Sequence, residues 1–157
     1  MFRINTIIDK TSQFYDRYTQ VLRPLLLLAI RFQIGLVFWR SGVVKIEDFS
    51  GTVLLFQTEY GVPLLPPVLA AVMATTFELG CSVLVMAGFM ARLAALPLLG
   101  MTAVIELTYD KGNPEHIVWA LFLLCVVVFG AECLSVDGAL LAHSRRQPLC
   151  IFRWIKS

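Results

Sequence analysis

Four runs of about 19 to 23 residues, at positions 22–44, 67–88, 91–109 and 116–136, are apolar on every helical face and hold few ionisable side chains. At 1.5 Å of rise per residue, each run is long enough as a helix to cross a hydrocarbon core of roughly 30 Å. A helix that is apolar all round must be surrounded by protein or by lipid, and a chain of 157 residues has little other protein to offer. Charged residues make up 15% of the chain. The roughly 25% usual in soluble domains is what covers a water-facing surface. A soluble helical core, the alternative, would carry a charged face on each helix, whereas Glu78, Glu106 and Glu132 stand singly, one to a run. The expected fold class is therefore all-α, an integral membrane four-helix bundle.

The Pro63, Pro66, Pro67 cluster marks a helix start, and the short turn Gly88-Phe89-Met90 makes the second and third spans antiparallel neighbours. Lysine and arginine bias sets orientation. Arg3, Lys10, Arg17, Arg23, Arg92, Arg145, Arg146, Arg153 and Lys156 fall on one side. The other side holds Lys45 and Lys111 among Glu47, Asp48, Glu59, Asp110 and Glu115. Both termini are expected in the cytoplasm, with loops 45–66 and 110–115 facing outward, in a multi-pass protein of the cytoplasmic (inner) membrane. The first twenty residues lack the apolar core and small-residue cleavage site of a secretory signal, so no removed leader is expected.

Residues 1–21 read as a cytoplasmic amphipathic arm, with Ile4, Ile7, Ile8 and Phe14 at near-helical intervals. A solvated arm is the alternative. The transmembrane domain occupies 22–141 and a basic cytoplasmic tail 142–157. Between the first two spans, Phe49, Val53, Phe56 and Tyr60 recur at three- and four-residue spacing. They predict a short outer amphipathic helix that caps the bundle or covers a pocket.

Ionisable residues within membrane spans cost a few kcal/mol and almost always face the protein interior. Counted from the cytoplasmic end of its span, Arg31 lies about 13 Å deep and Glu78 about 15 Å. They are level, which predicts an Arg31–Glu78 pair. Arg31, Gly35, Phe38, Gly42 and Lys45 share one stripe of span one, where the glycines admit a neighbouring helix or ligand. Arg40, Glu106 and His116, with Glu115, form a second polar layer near the outer ends, and Arg92, Glu132 and Asp137 an inner cluster. Such pairs serve either to fix helix register or to bind a polar head group or relay a proton.

His116 and His143 stand about 40 Å apart along a helix. No haem or metal site is therefore expected within one protomer. The four cysteines, Cys81, Cys125, Cys133 and Cys150, lack CxxC spacing and read as small packing residues. The net charge of +2, concentrated near the chain ends, gives no nucleic-acid patch.

The sequence resembles the DoxX family of small four-helix membrane proteins over about residues 27–141. The likeness rests on Arg31-x3-Gly35-x2-Phe38-x2-Ser41-Gly42-x2-Lys45, on Glu78-x9-Gly88-x3-Arg92, and on Trp119 with Gly130 and Ser135-Val136-Asp137. The stretch Leu55-Phe56-x2-Glu59-Tyr60-x-Val62-Pro63-Leu64-Leu65-Pro66-Pro67 further resembles a DoxX branch often encoded beside proteins for copper-related, ribosomally made peptides. The sequence departs from the family pattern at Glu132, where a small residue is expected, and at Glu106, where similar proteins often carry glutamine.

The resemblance implies association with redox systems, because some relatives look like subunits of quinone-linked oxidoreductases or of oxidative-stress complexes. It implies no defined reaction, and any enzymatic role is that of an oxidoreductase subunit. The leading expectation is a membrane subunit that binds a quinone-like amphiphile at Arg31, Gly35, Phe38, Gly42, Glu78 and Trp119, with Tyr60 beside or over the ligand. The partners expected are the lipid bilayer and either a protein partner or further copies of the chain. Two rival functions remain: a non-catalytic membrane anchor or scaffold that recruits soluble enzymes through its arm and tail, and a small exporter.

Overall fold

Most helix boundaries fall at residues that start or stop helices by their own stereochemistry. The computed structural model describes residues 2–60, 65–108, 111–131 and 134–145, and every regular element among them is helical. Helix α1, Phe2–Glu47, passes Pro24 and the arm boundary at residue 21 as one continuous backbone helix. Asp48 caps α2, Phe49–Leu55, by accepting from the Gly51 N–H at 2.9 Å, and the chain winds on through a π turn, Phe56–Tyr60. Helix α3, Pro67–Ala87, begins on its own proline and ends at Gly88, whose φ of 71° is left-handed. Helix α4 is Ala91–Thr108. Asn113 caps α5, Pro114–Phe129, through the Glu115 N–H, and α6 is Val136–Arg145.

The amphipathic pattern of Ile4, Ile7, Ile8 and Phe14 falls where the backbone alone is described. Glu132, Val62, Pro63, Cys133, Cys150 and the tail from residue 146 lie outside the described residues.

One span is shorter than its hydropathy predicts. The fourth apolar run extends to residue 136, but α5 stops at Phe129 because Gly130 takes φ 75° and ψ −160°. Its N–H closes the last turn on the Val126 carbonyl at 2.8 Å. Hydropathy registers that the residues are apolar and not that the backbone turns away.

Helix α1 packs on α3 and α5, and α4 packs on the same two helices. The four form a ring in which the first closes on the last, and α2 with its π turn lies against α3. Three segments, Leu22–Glu47, Pro67–Ala87 and Ala91–Thr108, are each long and apolar enough to cross a membrane, and α5 is a shorter apolar helix of the same bundle. The distribution of polarity is inverted relative to a soluble protein. Leu26, Leu107 and Ile117 are 61%, 70% and 61% exposed, whereas Arg31 and Glu78 are 0% and 2% exposed. Only hydrocarbon on the outside makes that arrangement stable. This is a multi-pass membrane bundle.

Inside, Ile34, Phe38, Val85, Leu98, Leu123 and Val126 form the apolar core with the small residues Ala91, Ala94 and Ala95 of α4, which let helices approach closely. Buried Thr75 and Thr102 donate to the carbonyls four residues back, at 2.8 and 2.9 Å, so their hydroxyls are satisfied within their own helices.

Gly88 tolerates no side chain. It is left-handed, and a Cβ there would collide with Arg31 Nη1 and Ser135 Cβ. Gly88→Ala is predicted to destabilise the protein by about 2 kcal/mol or more. Gly80→Ala, whose Cβ meets nothing within 4 Å, is predicted to be neutral or mildly stabilising. Thermal unfolding in detergent micelles checks this, and equal midpoints for the two variants would refute it.

Candidate functional site

Ser41 and Lys45 lie one turn apart on α1, and helical side chains lean toward the N-terminus. The Lys45 ammonium accordingly points back into the bundle. Its Nζ donates to Ser41 Oγ at 2.7 Å and to both Glu78 carboxylate oxygens at 2.9 Å. The Ser41 hydroxyl lies close enough to the carboxylate to favour its charge. The two charged side chains are 13% and 2% exposed. Bare backbone at Gly42 makes the approach possible, since a Cβ there would lie 2.8 Å from the Leu79 side chain. Thr52 of α2 donates to the Lys45 and Asp48 carbonyls at 3.2 and 3.0 Å, tying the cap to the end of α1.

Beside this pair lies a cavity of about 270 Å³. Phe56 and Tyr60 of the π turn line it from the cap, stacked with ring centroids 4.7 Å apart. Met73 and Phe77 line it from α3, and Pro97, Gly100, Met101 and Val104 from α4. Pro97 lacks an N–H and Gly100 a side chain, which leaves room on that face of α4. The lining is otherwise apolar, with Lys45 and Glu78 its charged groups. Met73, Phe77 and Val104 are also exposed on the bundle surface, so the cavity opens sideways toward lipid between α3 and α4. Single-turn π segments recur at functional sites, and this one supplies both aromatic rings.

The expected Arg31–Glu78 pair does not form. Arg31 Nη2 donates to the Leu134 carbonyl at the other end of the bundle, beside Gly88 and within electrostatic range of Asp137. Its Nε and Nη1 have no hydrogen-bond partner among the described residues. The antiparallel seam sets Gly42 beside Glu78 and Arg31 beside Gly88, which leaves ten residues of α3, about 15 Å, between the two charges. Depths counted along each apolar run coincide only if both runs begin at the edge of the bundle. Hydropathy marks where lipid contact begins and not where neighbouring helices pack.

The second polar layer assembles in part. His116 Nδ1 and Glu106 Oε2 are 2.9 Å apart, and Glu106 Oε1 accepts from the Gly112 N–H at 2.8 Å. Arg40 is exposed on α1. Of the inner cluster, Asp137 Oδ2 accepts from the Met90 N–H at 2.9 Å, and Arg92 donates to the Phe129 carbonyl at 3.4 Å. Glu132 falls outside the described residues. Phe38 and Trp119 meet edge to face at 6.1 Å in the core, and Trp119 lies 5.0 Å from the His116 ring. Arg31, Gly35, Phe38, Gly42 and Trp119 do not line the cavity, whereas Glu78 and Tyr60 do.

Lys45 was legible as the end of the span-one stripe, and Ser41 stands four residues before it, yet Lys45 read as an outward-facing loop charge. The spacing Pro97-x2-Gly100 in the third span is the sequence signal for a gap in α4. Phe77, Met101 and Val104 carry no signal distinguishing them from other lipid-facing residues.

The DoxX family profile matches residues 26–110, a stretch containing Ser41, Lys45, Glu78 and the α4 side of the cavity. A relative described as "Inner membrane protein YphA", from Escherichia coli (strain K12), is 36% identical over 130 residues, covering 73% of this chain and 90% of its own length. No solved structure matches the chain.

Lys45→Met, which strands the Glu78 carboxylate, is predicted to cost about 3–5 kcal/mol, and Lys45→Met combined with Glu78→Leu to recover most of it. Arg31 and Glu78 substitutions are predicted to add within about 0.5 kcal/mol. Unfolding equilibria in detergent supply both cycles. Stronger coupling of Glu78 to Arg31 than to Lys45 would overturn the assigned geometry.

Proposed function

The chain belongs to the DoxX family of membrane proteins, and on that premise we propose that it is the membrane subunit of a redox or oxidative-stress system whose bundle holds a quinone-like amphiphile beside Lys45 and Glu78. The observation that carries this reading is the lipid-open cavity with a single buried ion pair in an apolar lining. Ligand sites are mostly apolar concavities with a few polar groups that fix orientation, usually about 300–1,000 Å³. At about 270 Å³ the cavity suits a ring head group, with an apolar tail continuing between α3 and α4 into the bilayer. Stacked Phe56 and Tyr60 offer aromatic faces to such a ring.

In this reading Gly35 and Gly42 act at one remove, by bringing α1 against α3. Phe38 and Trp119 brace α1 against α5. Arg31, Arg92 and Asp137 hold the far end of the bundle, and Glu106 with His116 closes the link between α4 and α5. Residues 1–21 serve as an arm, 22–141 as the membrane domain and 142–157 as a tail. The lysine and arginine bias supports cytoplasmic termini. The Escherichia coli relative, an inner membrane protein by its name, supports the inner membrane. A soluble partner enzyme, or further copies of the chain, complete the system.

The test is chemical. Protein purified in mild detergent from its native membrane is extracted with organic solvent, and the lipid-soluble molecules are identified by mass spectrometry. Wild type is expected to carry a ring-bearing amphiphile in near-stoichiometric amount. Glu78→Gln and Gly100→Leu, the latter filling the cavity from a position with open space around its Cβ, are expected to lose it while remaining in the membrane fraction. Wild type carrying no more than Gly100→Leu would sink the reading. Failure of Glu78→Gln alone to insert would assign the ion pair to folding.

A further inference from the structure

Resting on the cavity reading above, we propose that the site holds the reduced, hydroxyl-bearing form of its ligand, a quinol, in preference to the quinone. An ammonium has three N–H donors and no acceptor. Those of Lys45 are directed to Ser41 Oγ and to the two Glu78 oxygens, at 2.7, 2.9 and 2.9 Å, which leaves none for a quinone carbonyl. A carboxylate has about four lone-pair positions. Lys45 occupies one position on each oxygen of Glu78, and the capacity that remains is for accepting. Tyr60, the other polar side chain in the lining, carries a hydroxyl that can donate or accept, so it can serve either form and does not discriminate between them.

A quinol O–H supplies the donor that Glu78 lacks. A quinone presents only acceptor oxygen, and set against a buried carboxylate it would leave two acceptors facing each other without a proton between them. The rest of the lining is apolar and gives ring and tail the same contacts in either form, so the difference between the two forms falls on Glu78. A hydrogen bond to a charged, buried acceptor corresponds to a preference of between about tenfold and a hundredfold.

The full chain in lipid nanodiscs, kept anaerobic, is equilibrated with decylubiquinol, decylubiquinone or the dimethyl ether of decylubiquinol. Retention above empty nanodiscs is quantified by chromatography. The Gly100→Leu variant, with its cavity filled, is run beside it. The quinol is expected to be retained at least about tenfold more tightly than the quinone, the dimethyl ether to behave like the quinone, and Gly100→Leu to retain none of them. Equal retention of quinol and quinone, lost in Gly100→Leu, would overturn the selectivity and leave the cavity reading standing, as would tighter retention of the quinone. Retention of the dimethyl ether equal to that of the quinol would remove the hydroxyl from the explanation. Retention no greater in wild type than in Gly100→Leu for all three probes would overturn both.

Discussion

A carboxylate at the middle of a membrane helix is tolerated only where a cation and hydrogen-bond donors reach it, because the surrounding hydrocarbon offers neither. Glu78 meets that condition through Lys45 and Ser41, and much of the architecture follows from the need to bring them together. The pair fixes the register of α1 against α3. It requires the bare backbone of Gly42 at the seam. It also draws the end of α1 inward, where α2 is tied to it through Thr52. A buried ion pair contributes little net stability compared with apolar residues of the same shape, while breaking it is costly. Its worth here is in selecting one helix arrangement and in leaving a charged patch on the wall of an otherwise apolar cavity.

The remaining polar contacts repeat this logic at the two ends of the bundle. At one end Glu106 accepts from Gly112 and meets His116, joining α4 to the start of α5. At the other, Arg31, Asp137 and the Gly88 turn bring the segment before α6 back onto α1 and the α3–α4 turn. Between those levels the helices are held by Ile34, Phe38, Leu98 and Leu123 and by small residues of α4. In lipid, association of apolar helices gains from close packing and interhelical polar contacts rather than from water exclusion. Among the described residues, polar contacts at these levels add to the close packing that holds the bundle together.

The cavity depends on an interruption of that close packing. Pro97 and Gly100 thin α4 on the side facing α3, and the π turn swings Phe56 and Tyr60 over the space so created. A gap in a soluble core would usually be destabilising. A lipid-facing gap can be filled from the bilayer, so the same feature both tolerates the missing side chains and admits an amphiphile.

The sequence by itself determined the membrane class, the four apolar segments, most of their boundaries, the cap between α1 and α3 and the stripe from Arg31 to Lys45. These depend on local quantities: hydropathy, helical period and the stereochemistry of Pro67 and Gly88. Only the tertiary structure decided that Glu78 belongs with Lys45 rather than Arg31, that α5 ends at Gly130, and that the space beside Glu78 opens between α3 and α4. Register between two helices is a property of the pair. A depth counted along one chain segment carries no information about where its neighbour begins, and an error of ten residues, about 15 Å of rise, exchanges one cation for another.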